Sequence, residues 1–213
     1  MKHKYIAVEG PIGVGKTTLA KKLSAAVGGR YLPDTDVSNP YLKSFYQNSD
    51  RAAFHTQMHF LVSRIEAMSA LKIGDESRPV VADYLIDKDR LFAETTLDET
   101  EWQMYNKLYE YSTHNLPKPD LVVYLQAPLE RLVQRIERRG IKHEQRIESR
   151  YLQRLIEIYE RFFHAYDASP LLIVNAADIN LADSPADFDL LVERIQSLEG
   201  GRHYVNPISS EAT

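Results

Sequence analysis

Cysteine is absent from all 213 residues. Its absence excludes disulfides, thiolate metal sites and a cysteine nucleophile, and suits a reducing compartment. A basic excess is also missing. The net charge is −4 and the isoelectric point near 6.0, which argues against a general nucleic-acid binder, because a phosphate backbone demands a broad basic face. No long apolar run occurs at the N-terminus, where Met1-Lys2-His3-Lys4 leads into only a few apolar residues before Glu9. That run is too short for a signal peptide or a membrane span, so a cytoplasmic protein is expected. Neither an internal repeat nor a low-complexity linker breaks the chain. With 44% hydrophobic residues it is long enough for one domain with a full core, expected over 1–199, followed by an aperiodic tail at 200–213.

What is present is a phosphate-binding loop. Gly10-Pro11-Ile12-Gly13-Val14-Gly15-Lys16-Thr17, followed by Thr18, fits G-x-x-x-x-G-K-[ST] at every fixed position. Such a loop turns backbone N–H groups toward a polyphosphate at a helix N-terminus, while the lysine adds a point charge and the hydroxyl reaches a magnesium ion. The context is the required one. The apolar stretch Tyr5-Ile6-Ala7-Val8 precedes the loop, and Leu19, Leu23 and Val27 share one face of the helix after it. A bare glycine turn would need neither Lys16 nor Thr17.

Short apolar runs alternate with long amphipathic segments, the pattern of a parallel sheet covered on both faces. This predicts an α/β fold with five strands, at 4–9, 29–33, 79–83, 120–125 and 171–175. Helices are expected near 16–27, 50–73, 98–115, 128–139, 146–167 and 185–198. Asp98 with Glu101 resembles a capping box, and Pro128 marks a helix start.

Two further features carry chemistry. The apolar strand Pro79-Val80-Val81-Ala82 ends in Asp83, and in an open α/β sheet ligands sit beyond the carboxyl ends of the strands. Asp83 then faces the same crevice as the loop and suits a carboxylate that organises magnesium; a helix N-cap is the alternative. From Arg131 to Arg154 there are eight Lys or Arg against three Glu, with a helix break at Gly140-Ile141-Lys142. This stretch reads as a lid whose arginines Arg135, Arg138 and Arg139 close over phosphates, or else as a solvated helix face.

Six segments in order also resemble one family. They are the loop, Asn39-Pro40-Tyr41-Leu42 through Tyr46, Phe54-His55-Thr56-Gln57, Ala82 to Phe92, Pro119 to Gln126, and the lid. Together they resemble the deoxynucleoside kinases, specifically the bacterial deoxyguanosine and deoxyadenosine kinase branch, over residues 4–195. The resemblance implies a P-loop kinase fold and transfer of the γ-phosphoryl group of ATP, with Mg2+, to the 5′-hydroxyl of a deoxynucleoside, in a homodimer. It implies that Asp34 or Asp36, just before the Asn-Pro segment, receives the hydroxyl proton, with Asp34 the first choice. It further implies that Tyr46 and the lid residue Glu144 meet the sugar 3′-hydroxyl, that Gln57 pairs with the base, and that Asp89 is a second candidate for base recognition. Phe45, Phe54, Phe60 and Tyr84 are candidates to sandwich the base.

Two departures from the family pattern stand out. A Glu-Arg-Ser triplet common after the third strand is replaced by Asp83-Tyr84-Leu85, so the arginine expected near the 5′-hydroxyl is missing or supplied from elsewhere. In the lid a further arginine is replaced within Gly140-Ile141-Lys142, and Lys142 offers a compact charge without a bidentate fork. Two other function classes share the loop. A nucleoside monophosphate kinase of the thymidylate kinase type would carry Asp-Arg-Tyr after the third strand. A nucleotide-binding switch would carry Asn-Lys-x-Asp, where this chain has Asn175-Ala176-Ala177-Asp178.

Overall fold

A computed structural model describes residues 2–34, 39–46, 50–71, 78–142, 144–179 and 184–206. Six strands form one sheet: β1 (Tyr5–Glu9), β2 (Arg30–Leu32), β3 (Val80–Ala82), β4 (Leu121–Gln126), β5 (Leu171–Asn175) and β6 (Arg202–Val205). Their order is β2-β3-β1-β4-β5-β6, and every neighbouring pair is parallel. Strand β1 sits where the connections diverge, toward β3 and β2 on one side and β4 on the other. The crevice of such a sheet opens beyond the carboxyl ends of the strands at that point.

Eight helices connect the strands among the described residues: α1 (Lys16–Ala26), α2 (Leu42–Phe45), α3 (Asp50–Ser69), α4 (Lys88–Thr96), α5 (Glu99–Thr113), α6 (Leu129–Arg139), α7 (Ser149–Ala165) and α8 (Pro185–Ser197). The start signals read from the sequence operate. Asp98 accepts from the Glu101 N–H at 2.9 Å, and Pro128 is the residue just before α6. Central strands β1 and β4 are buried on both faces apart from the end of β4, which is why they read as continuous apolar runs rather than alternating ones. On one side of the sheet Ile6, Val8, Val123 and Leu125 pack with Leu19 and Leu23 of α1. On the other, Ala7, Val122 and Tyr124 pack with Tyr159 and Phe163 of α7.

Three expectations need correction. The sheet has six strands, not five. The sixth lies in the expected tail, where Arg202–Val205 pairs with β5 in the register Leu171↔Arg202 to Val174↔Val205. It was hidden because three of its four side chains are exposed at the sheet edge and only Val205 packs against the core. Helix α4 was not read either. Its buried face comprises Lys88, Asp89, Leu91 and Ala93, so half of the positions that should be apolar are charged and the 3.6-residue signal fails. Among the described residues no helix is long and apolar enough to cross a membrane.

Candidate active site

The phosphate loop is shaped by glycines that no other residue could replace in place. Gly10 has φ 150° and a Cβ there would lie 2.3 Å from the Leu125 carbonyl oxygen; Gly13 has φ 84° and its Cβ would lie 2.8 Å from Ile136 Cγ1. The loop is thus wedged between β4 and α6 and delivers Lys16 and Thr17 to the start of α1. Glu9, the last residue of β1, fixes the entry. Its carboxylate is fully buried and accepts from the Gly10 N–H at 2.8 Å, the Leu85 N–H at 2.8 Å and the Tyr159 hydroxyl at 3.0 Å. The loop after β1 and the loop after β3 are therefore tied to one carboxylate. Burial, then the Glu9 charge, push the Tyr159 phenol well above its ordinary value, so it stays a donor.

Asp83 follows β3 directly and faces Thr17, whose hydroxyl donates to Asp83 Oδ2 at 2.5 Å; Tyr31 donates to the same oxygen at 3.2 Å. Capping does not explain it, because α4 begins five residues later with Asp87 at its N-cap. Burial raises the Asp83 proton affinity against the opposing pull of Lys16 and Thr17. The other oxygen, Oδ1, is buried with no hydrogen-bond partner among the described residues. A buried carboxylate oxygen in that state fits a hard cation held through oxygen ligands. Among the described residues no group of three or more His, Asp or Glu could cage a metal alone; a magnesium ion at Thr17 and Asp83 would take its remaining ligands from nucleotide phosphates and water.

Beside this half lies a second, buried cluster of charge. Asp34 Oδ1 accepts from Arg64 Nε at 3.0 Å and from Arg64 Nη2 at 2.7 Å. Its Oδ2 accepts from the Lys88 ammonium, and Arg64 Nη1 donates to Asp89 Oδ1. Arg64 is 1% exposed and stacks over Phe60 and Tyr84, 4.8 and 5.4 Å from their ring centroids. Burial alone would raise the Asp34 proton affinity, but Arg64 and then Lys88 reverse this and hold the carboxyl well below the usual carboxylate range. A group depressed in the folded state stabilises fully above its unfolded value of about 3.9 and loses that contribution as pH falls through the folded value. Asp34→Asn should therefore unfold at a lower temperature than the parent at pH 6, and the gap should narrow as the pH falls below about 4. A gap independent of pH in thermal unfolding scans would contradict a charged Asp34 in the native state.

One cleft collects most of the expected residues. Ile12, Gly13, Lys16 and Thr17 line its phosphate end with Asp83. Asp34, Gln57, Phe60, Arg64, Lys88 and Asp89 line its depth, and Phe45, Tyr46, Arg139 and Glu144 its mouth. Gln57 is 1% exposed; its amide nitrogen donates to Thr96 Oγ1 at 3.1 Å while Oε1 is buried with no partner among the described residues. Glu144 lies just past the helix break and accepts from Arg139; Gly140 closes α6 at φ 69°. Pro11, Val14, Gly15 and Thr18 shape the loop without lining this cleft.

Other expected residues go elsewhere. Arg135 is turned onto backbone carbonyls, donating to Val14 at 3.1 Å, Ala176 at 2.7 Å and Ile179 at 3.2 Å. It therefore ties the phosphate loop to the segment after β5, and of the three lid arginines only Arg139 lines the cleft. Arg138 and Lys142 are exposed. Tyr84 is fully buried in the core beneath Arg64 and Phe54 packs toward α5, and neither lines this cleft. Asp36 lies outside the described residues. Reading the sequence missed Arg64 and Lys88. For Arg64 the signal was available, since Gln57, Phe60 and Arg64 are spaced three and four apart on one helical face.

The chain is similar to known proteins over nearly its whole length. The deoxynucleoside kinase family model matches residues 6–198. A deoxyguanosine kinase of Bacillus subtilis (strain 168) is 38% identical over 203 residues, covering 91% of this chain and 97% of that protein. A deoxyadenosine/deoxycytidine kinase of the same organism is 30% identical over 205 residues, covering 92% and 94%. In fold, the chain is similar to a deoxyadenosine kinase from M. mycoides with bound dATP, at TM-score 0.79 and 24% identity over 92% of this chain and all of the other.

Proposed function

The chain belongs to the deoxynucleoside kinase family, so its reaction is ATP-dependent phosphorylation of a deoxynucleoside, and we propose that the acceptor is a purine deoxynucleoside, deoxyguanosine before deoxyadenosine. The observation that carries the base preference is the buried array of Gln57, Arg64 and Asp89 at the cleft's depth. A guanine edge offers N–H donors that suit the Gln57 amide oxygen, which is buried with no partner among the described residues beside the Arg64–Asp89 pair. The Bacillus relative at 38% identity, named a deoxyguanosine kinase, supports the same order. A phosphate-accepting monophosphate kinase has no use for an anionic carboxylate at the acceptor end, and a switch has none for Asp34 at all.

In this reading Lys16 and the loop N–H groups hold the triphosphate, and Thr17 and Asp83 hold the magnesium ion, which neutralises phosphate charge when bound. Asp34 orients the 5′-hydroxyl, Tyr46 and Glu144 meet the 3′-hydroxyl, and Arg139 closes from the lid. Arg135 holds the loop in shape. The enzyme works in nucleotide salvage, in a cytoplasm its cysteine-free composition suits, and pairs as a homodimer as its family resemblance implies. A panel of the four deoxynucleosides at fixed magnesium ATP tests it: deoxyguanosine should show the highest kcat/KM, and a pyrimidine in first place would overturn the assignment.

Gln57 provides a sharper check. Gln57→Leu leaves base groups unpaired in a dry pocket, at about 1–3 kcal/mol per lost partner. Catalytic efficiency for the preferred deoxynucleoside should then fall by roughly one or two orders of magnitude while KM for ATP moves little. Equal losses for every base would make Gln57 a structural helix residue.

A further inference from the structure

We infer that Thr96 is a positioning residue for base recognition: its hydroxyl fixes the direction of the Gln57 amide, so that the amide oxygen is the atom offered to the nucleobase. This rests on the reading of Gln57 as the residue that meets the base. Thr96 is the last residue of α4 and does not itself line the cleft. It acts only through Gln57.

The helix pair around the cleft's depth explains its place. Helices α3 and α4 run antiparallel, with Gln57 meeting Thr96 and Arg64 meeting Asp89. On each helix seven positions separate the two contacts, which is two turns or about 10 Å. Between them Phe60 from α3 and Phe92 from α4 line the cleft. One bridge is ionic and the other is made of neutral groups. A neutral amide keeps nearly the same shape when its oxygen and nitrogen exchange places, so its direction has to be set by the partner it meets.

Thr96 is a partner of one polarity. Its hydroxyl donates to the Phe92 carbonyl at 2.8 Å, one turn back in α4. A hydroxyl has a single hydrogen, so only lone pairs are left for Gln57. The amide nitrogen accordingly donates to Thr96 Oγ1 at 3.1 Å. That commits Oε1 to the other side, where it is buried with no hydrogen-bond partner among the described residues. Gln57 is 1% exposed, so bulk water does not reach this oxygen and an N–H on the edge of the base meets it instead. A reversed amide would set N–H against N–H.

Thr96→Val replaces the hydroxyl by a methyl group of similar size and frees the amide to reverse. Its kcat/KM for deoxyguanosine should fall about tenfold, as for one buried donor left unmet, while KM for magnesium ATP stays within about twofold. Thr96→Ser keeps the hydroxyl and should stay within about threefold of the parent. The double variant decides. Added to Gln57→Leu, Thr96→Val should cost no more than about a further twofold, because the group it orients is already gone. A further tenfold loss there would make Thr96 a structural residue of α4 and overturn the proposal. So would Thr96→Val at parental efficiency beside a damaged Gln57→Leu. Gln57→Leu at parental efficiency would overturn the reading of Gln57 and the proposal with it. Should Thr96→Val fail to fold, Thr96→Ala takes its place in the same cycle. Calorimetric binding of deoxyguanosine to the same four proteins gives the cycle a second readout. A parent that binds deoxyguanosine without turning it over would overturn the kinase reading, and the binding cycle would still decide the role of Thr96.

Discussion

Lys16→Ala should lower phosphoryl transfer on the order of 10³-fold or more, because it removes the cation that the phosphate loop itself contributes. The Lys16 ammonium is folded back onto its own loop, donating to the Gly10 carbonyl at 2.7 Å and the Pro11 carbonyl at 3.2 Å. Carbonyl dipoles hold it only in part. Burial, then Lys88, lower its proton affinity, so the charge is held at a cost that the β- and γ-phosphates relieve. The side chain belongs to none of the apolar clusters that join α1 to the sheet, so the variant should keep its unfolding temperature within a few degrees. Turnover measured with magnesium ATP and deoxyguanosine, beside a thermal melt, checks both halves. Turnover within about tenfold of the parent would mean that the loop is not the donor site.

How legible these features were from sequence follows from how much chain each one occupies. The phosphate loop is a local device: eight consecutive residues with fixed glycines, whose backbone angles can be satisfied in one way. Strands β1, β4 and β5 are buried nearly throughout, so apolar runs disclose them. Strand β6 has one packed residue in four and discloses nothing. Helix α4 was hidden by its purpose, because the face it turns inward bears Lys88 and Asp89. The Asp34, Arg64, Lys88 and Asp89 cluster joins three segments separated by up to 55 positions, and no spacing rule spans that distance. Asp34 itself stands out only through family resemblance, since Pro33-Asp34-Thr35-Asp36 reads as ordinary turn chemistry. The two buried cations on it supply the physical reason the resemblance lacked.

Asp34→Asn should lower kcat on the order of 10²–10⁴-fold, the usual range when a positioned acid–base group is lost. The direction of the Asp34 shift bears on what is lost. A carboxyl held well below its ordinary value by Arg64 and Lys88 is a weak proton acceptor, so in the proposed mechanism its main contribution is a fixed anionic oxygen that aligns the hydroxyl lone pair with the γ-phosphorus. Proton transfer then comes late, as the new bond to phosphorus makes the hydroxyl acidic. An amide keeps a hydrogen-bond acceptor but loses the charge, and it leaves Arg64 and Lys88 short of one anion in a buried site, which costs several kcal/mol when a buried pair is broken, about 3–5. Stability and catalysis therefore have to be read separately. Asp34→Glu separates them: it restores the anion and, being one methylene longer, displaces its oxygens by roughly 1.5 Å. Its melting temperature should approach that of the parent, and its kcat should lie between those of the parent and Asp34→Asn. An Asp34→Asn variant that stays folded and turns over at the parental rate would remove Asp34 from the mechanism and return Asp36 to consideration.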